Sequence, residues 1–292
     1  MTGVSDFITG GELGDELEPL LVRAAELKEG RPWAASDALA GRSIALIFEQ
    51  PSTRTRVSFE VGVAEMGGTP IVLRGDELQL SRGESIGDVG RVLSRYLHAI
   101  VIRSGSHERV AELAAEAEVP VVNALTPEHH PCQTLADLQT LRERFGSLEG
   151  LRVAFVGDGN NVARSLALLG SQAGAQIVVS SPPGLELDAG AGAELISDPA
   201  EAVAGADAIY TDVWISMGEP EAAAKREALA PYRVDEALLA KASDRAIVLH
   251  CLPAHPGEEI TADVLYGPRS AVFDQAENRL HVQKALLELL VD

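Results

Sequence analysis

The chain has 292 residues, of which 46% are hydrophobic and 23% charged, a balance that excludes a disordered or fibrous protein. Its length suits about two domains, each with a core of its own. Forty-four acidic against twenty-four basic residues give a formal net charge of −20, so the average field repels phosphate, no nucleic acid and no membrane is expected as partner, and an anionic ligand needs a local cluster of positive charge.

In chain order, the N-terminal stretch "MTGVSDFITGGELGDELEPL" lacks both a basic region and a continuous apolar run. No signal peptide is expected there, and a cytoplasmic location follows. The first strand is "SIALIFE", Ser43 to Glu49, an apolar run between Gly41 and Pro51 that reads as buried on both faces. After Pro51 the period changes. Val57, Val61 and Ala64 fall at i, i+4 and i+7, which predicts a helix from about Thr53 to Met66, capped by Ser52 and stopped by Gly67 and Gly68.

"TPIVL" is the next strand. In "GESIGDVGRVLSRYL", Ser85 and Asp88 form a capping pair ahead of a stripe made by Val89, Val92, Leu93, Tyr96 and Leu97. "HAIVIR" is a strand ending in Arg103, "HERVAELAAEAE" a helix and "VPVVNAL" a strand. Repeated βαβ units of this kind imply a parallel sheet covered by helices. "HHPCQTLADLQTLRERFGSLEG" places Leu135, Leu138 and Phe145 on a helix ending at Gly146, with the domain junction in or just after it.

A second series follows in "LRVAFVGDGNN", "AQIVVSS", "DAIYTDV" and "RAIVLHCLPAH", with "SPPGLELDAGAGAEL" read as a loop. The final helix, Gln275 to Val291, carries Leu280, Leu286, Leu287 and Leu290 and is expected to pack back on the first domain. The expected fold class is therefore α/β, with two domains, residues 1–133 joined by helix 275–292, and residues 134–274. Each is a parallel sheet covered by helices, and the active site is expected in the interdomain cleft.

Polar residues at the carboxyl ends of parallel strands carry the functional information. Ser52, Thr53, Arg54 and Thr55 sit on the first turn of a helix that follows a strand, where unpaired N–H groups and the positive end of the helix dipole face outward. That is an anion site, and arginine adds a fork suited to phosphate. Capping alone explains one hydroxyl, not two more plus two arginines. Arg103, the run His129 to Gln133, Asp158 to Asn161, Asp212 to Met217 and His250 to His255 all follow predicted strands as well.

"GDGNNV" invites comparison with a dinucleotide fingerprint, but Val162 stands at the third glycine and the next strand ends "VVSSPP" without an acid for a ribose. A nicotinamide dehydrogenase is thus the weaker alternative, and a tight turn explains Gly157 and Gly159 but not Asn160 and Asn161. His130 and Gln133 suit a carbonyl and an amide. The two cysteines, Cys132 and Cys251, form no C-x-x-C pair, which argues against metal or disulfide frameworks. A Cys-His hydrolase would need a base near Cys251; His250, its sequence neighbour, is expected on the other face of the strand, which leaves His255 as the remaining candidate base.

Taken together, "FEQPSTRTRVSFE", "HPCQTLAD", "GDGNNV", "YTDVWISMG", "HCLPAH" and "AENR" resemble the ornithine carbamoyltransferases of the aspartate/ornithine carbamoyltransferase superfamily, in the family's order from about residue 42 to 292. The resemblance implies a first domain that binds carbamoyl phosphate and a second that binds ornithine. Ser52, Thr53, Arg54 and Thr55 match the phosphate loop, and Gln79 a glutamine that reaches the neighbouring subunit's site. Arg103, His130 and Thr55 match residues around the carbamoyl carbonyl oxygen, and Gln133, the Leu252 carbonyl and Arg279 those on its nitrogen side. Asn161, Asp212, Ser216 and Met217 match groups holding the α-amino and α-carboxylate ends of ornithine, and Cys251 the thiol beside the reacting δ-amine. The implied catalytic set is Arg54, Arg103, His130 and Cys251, with no metal or redox cofactor, in a homotrimer whose site a neighbour completes. "SMG" and "HCLPAH" favour ornithine over aspartate, acetylornithine or putrescine, and residues 181–195 are shorter than in other members.

Overall fold

The computed structural model describes residues 3–31, 36–75, 83–188, 192–215 and 223–291. They fall into two compact units, residues 1–139 with 277–292, and residues 140–276. The chain runs α1 (Leu17–Glu29), β1 (Ser43–Phe48), α2 (Thr53–Glu65), β2 (Thr69–Arg74), α3 (Ile86–Leu93), β3 (Ala99–Arg103), α4 (His107–Glu116), β4 (Val121–Leu125) and α5 (Pro131–Phe145). It continues with β5 (Arg152–Val156), α6 (Asn161–Gln172), β6 (Gln176–Ser180), β7 (Glu194–Leu195), α7 (Pro199–Ala202), β8 (Ala208–Thr211), α8 (Ala223–Leu229), α9 (Glu236–Leu239), β9 (Ile247–His250), α10 (Ala262–Leu265) and α11 (Val272–Val291).

In the first unit four strands pair in parallel in the order β2-β1-β3-β4. The inner strands β1 and β3 are apolar almost throughout, because helices cover both faces of such a sheet. Ala45, Ile47, Ile100 and Ile102 pack with Ile86 of α3 and with Val110 and Leu113 of α4. Each isoleucine or leucine so buried stabilises the fold by roughly 1.5–3 kcal/mol. The chain steps from β1 to β2 on one side and then to β3 on the other, so the strand order reverses between β1 and β3. A crevice opens at the carboxyl ends of strands at such a point.

Two helices differ from the faces their sequences suggest. Thr55, Phe59, Gly62 and Val63 are the buried residues of α2, whereas Val57 is 49% exposed and Ala64 lies outward. Both stripes have helical spacing, and the one carrying the larger Phe59 takes the core. In α3, Ile86 and Val89 are buried but Val92 is not, and Tyr96, beyond the helix, is exposed. The helix closes after Leu93, where the Ser94 hydroxyl donates to the Gly90 carbonyl at 2.7 Å and i→i+3 bonds tighten the end. At the expected cap, the Asp88 N–H donates to Ser85 Oγ at 3.0 Å.

Helix α1 buries Leu17, Leu20, Leu21, Ala24 and Leu27. Arg23 forks onto Glu288 at 3.1 and 3.0 Å. Lys28 donates to Asn278 Oδ1 at 2.7 Å, and Lys284 to Glu65 at 2.9 Å. The last helix is thereby fixed to α1 and α2 within one unit.

The second unit has five parallel strands in the order β7-β6-β5-β8-β9. Its order reverses between β5 and β8. The core joins Ala154, Val156, Ile209 and Val248 of the sheet to Val203, Leu238, Leu239 and Val264. The segment read as a loop ends in the short edge strand β7, with Glu194 opposite Val178. Among the described residues no helix is long and apolar enough to cross a membrane.

His281 of α11 is fully buried, and burial first, then the charges of Lys28, Lys284 and Arg31, push its pKa from 6.5 down to about 4. A histidine with a depressed folded-state pKa contributes stability above its unfolded pKa and loses it as pH falls toward the folded one. Wild-type protein should therefore lose on the order of 3 kcal/mol more than His281→Gln between pH 7 and pH 4, measured by urea unfolding at each pH; parallel stability curves would contradict this.

Candidate active site

The crevice of the first unit is built from three chain segments. Beyond β1, Ser52 has an extended backbone (φ −156°) and opens α2, but its side chain makes no cap hydrogen bond. The hydroxyl is thus not committed to the helix it begins. Thr53 and Arg54 are exposed on the first turn, while Thr55 is buried. Beside them, Arg103 ends β3, in register with Phe48 at the end of β1. Parallel pairing puts the helix tip and this guanidinium at the same end of the sheet.

The third segment is the start of α5. The His130 carbonyl accepts from Gln133 N–H at 3.0 Å, which holds the histidine at the helix entrance. Gln133 is buried and oriented from both ends: its amide nitrogen donates to Asp137 at 2.8 Å and its amide oxygen accepts from Arg279 Nη1. Arg279 Nη2 donates to Thr55 Oγ1 at 2.6 Å. One guanidinium of α11 therefore joins the first turn of α2 to that of α5. Burial, and then the positive charges of Arg279, Arg103 and Arg54, hold the His130 pKa well below its ordinary 6.5. A neutral imidazole in that setting can donate an N–H to an oxygen acquiring negative charge. Cys132 next door is a core thiol, pushed up to about 12 by burial, and it donates to the Asn123 carbonyl.

In the second unit, Asn160 does two things at once. Its side-chain oxygen caps α6 by accepting from Val162 and Ala163 N–H at 3.0 and 3.2 Å, and its amide nitrogen donates to Asp212 at 2.8 Å. The other oxygen of Asp212 accepts the Cys251 thiol at 2.7 Å. Gly159 is required by a close approach: a Cβ there would lie 2.4 Å from the Leu187 backbone nitrogen. The side of the turn that a dinucleotide would approach is thus taken by the 185–187 backbone, which weighs against the dehydrogenase alternative. Lys225 of α8 pairs with Asp158 at 2.8 Å in the same turn.

Asp212, His250 and Cys251 bring their ligating atoms within 4.8 Å of one another. Both nitrogens of the His250 ring are nevertheless engaged, Nδ1 by Leu252 N–H at 2.9 Å and Nε2 by Glu259 at 3.2 Å. No ring lone pair is left for a metal or for taking a proton from Cys251, so the Cys-His hydrolase reading loses its neighbouring base.

Two family models together match almost the whole chain. Residues 6–143 match the family description "Aspartate/ornithine carbamoyltransferase, carbamoyl-P binding domain", and residues 149–290 match its "Asp/Orn binding domain". The chain belongs to the aspartate/ornithine carbamoyltransferase family. Among curated members, it is 54% identical to the ornithine carbamoyltransferase of Acidothermus cellulolyticus over 95% of both chains. It is 48% identical to that of Bacillus subtilis over 98% of this chain and 93% of that one. The ornithine carbamoyltransferase structure from Pyrococcus furiosus superposes with a TM-score of 0.93 at 45% identity, covering 100% of this chain and 98% of that chain. The Thermus thermophilus structure gives 0.89 at 44% identity, with 96% of each chain covered.

Against the carbamoyltransferase pattern, the first unit groups Thr55, Gln133 and Arg279 by direct hydrogen bonds, and His130 with Arg54 and Arg103 through their charges. Ser52 and Thr53 precede them on the same turn. The second unit joins Asp212 to Cys251, with Leu252 next in chain and Asn161 as the first residue of α6. Gln79, Ser216 and Met217 lie outside the described residues. Sequence reasoning missed Asp137 as the partner of Gln133, and Asn160 as the clamp on Asp212. An asparagine just ahead of the apolar period of "VARSLALL" was a readable cap signal; its second bond was not.

Removing a positive charge beside an imidazole favours the protonated ring. In Arg279→Met, nitrogen-15 NMR of the His130 imidazole should show titration at higher pH than in the wild type, and an unmoved titration would contradict the placement of Arg279.

Proposed function

We propose that this carbamoyltransferase moves the carbamoyl group of carbamoyl phosphate to the δ-amine of L-ornithine, giving L-citrulline and phosphate. The observation that carries the reading is the Arg279 fork between Thr55 and Gln133 beside a neutral His130. It is supported by relatives named ornithine carbamoyltransferase along nearly the whole chain.

The chemistry follows from the groups on hand. Ser52, Thr53, Arg54 and Thr55 grip the phosphate at the helix tip. The ornithine δ-amine, with a pKa of about 10.4 in water, attacks only as the free base. As its nitrogen bonds to the carbamoyl carbon, negative charge grows on the carbonyl oxygen, where Arg103, His130 and Thr55 serve as an oxyanion-stabilising set. On the carbamoyl nitrogen side, the Gln133 amide oxygen and the Leu252 carbonyl accept from the N–H groups, and Arg279 holds Gln133 in place. Asn161, Asp212, Ser216 and Met217 hold the amino-acid end, and Cys251 lies beside the δ-amine. The carbon–oxygen bond to phosphate then breaks and the departing phosphate takes up the amine proton, so the substrates balance the reaction between themselves.

We also infer a cytoplasmic homotrimer in which Gln79 of a neighbour completes the site. The exposed Val57 and Ala64 on α2, with half-buried Val61 between them and exposed Ile71 on edge strand β2, support self-association, because a folded monomer gains nothing from exposing apolar side chains.

Purified protein should form citrulline from carbamoyl phosphate and ornithine, and not the corresponding product from putrescine or acetylornithine; absence of citrulline would reject the reading. Arg54→Gly should keep the wild-type circular dichroism and melting temperature while weakening carbamoyl phosphate by about 100-fold in calorimetry, the worth of a charge-assisted fork. Unchanged affinity would remove Arg54 from the phosphate site.

A further inference from the structure

We infer that His250 is a positioning residue: backed by Glu259, its ring fixes the backbone of Leu252, and so sets where the Leu252 carbonyl and the Cys251 thiol stand. The inference rests on the carbamoyl transfer proposed above.

His250 is the last residue of β9, opposite Thr211, and is buried. Its own N–H donates to Gln275 Oε1 at 2.9 Å, so the residue cannot slide along the strand. The Leu252 N–H donates to its Nδ1 at 2.9 Å. A backbone N–H can only donate, so Nδ1 is an acceptor and the neutral ring carries its proton on Nε2. That proton points at Glu259 Oε1, 3.2 Å away on a side chain with no exposed surface. The same carboxylate oxygen accepts the His255 N–H, which anchors it in turn.

Leu252 needs such a hold. It has φ +55°, and no other non-glycine residue among those described has positive φ. A leucine side chain disfavours that region, so the turn relaxes unless an outside bond fixes it. The His250 acceptor supplies one on the residue itself. Between the two, Cys251 reaches Asp212 at 2.7 Å, so the same turn aims the thiol. His250 therefore acts through its neighbours and not on substrate, since both its nitrogens are engaged.

Two amide substitutions separate the two ring contacts. His250→Asn keeps an oxygen close to the position of Nδ1 and so an acceptor for Leu252, but loses the reach to Glu259. His250→Gln keeps a polar atom close to Nε2 for Glu259 but removes the acceptor. If His250 positions Leu252, kcat for citrulline should fall about 100-fold in His250→Gln, the cost of misplacing a reacting group by an ångström. His250→Asn, which keeps the acceptor for Leu252, should recover most of kcat. A wild-type kcat in His250→Gln, or equal losses in both variants, overturns the inference.

Should either variant fail to fold, long-range nitrogen-15 NMR of the wild-type imidazoles decides. An Nε2–H tautomer for His250 supports the assignment and an Nδ1–H tautomer overturns it. Wild-type protein that makes no citrulline would instead sink the functional reading, while the NMR result would still report on the ring.

Discussion

Three guanidinium groups, those of Arg54, Arg103 and Arg279, act on one buried imidazole in a protein whose formal net charge is −20. Like charges gathered in a crevice repel one another, and their neighbours settle what that repulsion does. Thr55 and Gln133 are neutral acceptors, so they orient Arg279 without cancelling its charge. The crevice consequently holds a preorganised positive field that an anionic ligand relieves, inside a molecule whose net charge is strongly negative. Burial and the same charges keep His130 neutral, which leaves it a donor and not a competing cation.

The second unit repeats the sheet plan with different chemistry. Its strand order also reverses beside the polar turns, between β5 and β8, but the groups there are tied by hydrogen bonds and carry little net positive charge. Asn160 caps a helix and steadies Asp212, which takes the Cys251 thiol; Glu259 steadies His250, which takes the Leu252 N–H. Each reactive position is thus backed by a residue whose other end is part of the scaffold. Topology supplies the location in both units, and the turn residues supply the function.

Much of this is legible in the sequence because parallel strands are short apolar runs between glycine and proline, as in Ser43 to Phe48. Polar residues just after such runs, Arg103 and Asp212 among them, are conspicuous for the same reason. Periodicity was less reliable about direction. Helix α2 carries two stripes of equal spacing, and only packing shows that Phe59 turns inward while Val57 turns out. Nor can spacing reveal that Arg279 meets Thr55 across more than two hundred positions, or that Leu252 adopts a left-handed backbone. Those depend on tertiary geometry, and the family resemblance placed both residues near the site without giving their contacts.

Arg23 of α1 and Glu288 of α11 belong to one unit although the whole of the other unit is encoded between them. On the ribosome, residues 140–276 emerge as one continuous piece, whereas the other unit is not complete until residues 277–292 have followed it. Because Arg279 travels on that last helix, a nascent chain acquires the bonds to Thr55 and Gln133 only near the end of translation, and any premature stop ahead of it yields a product that lacks them.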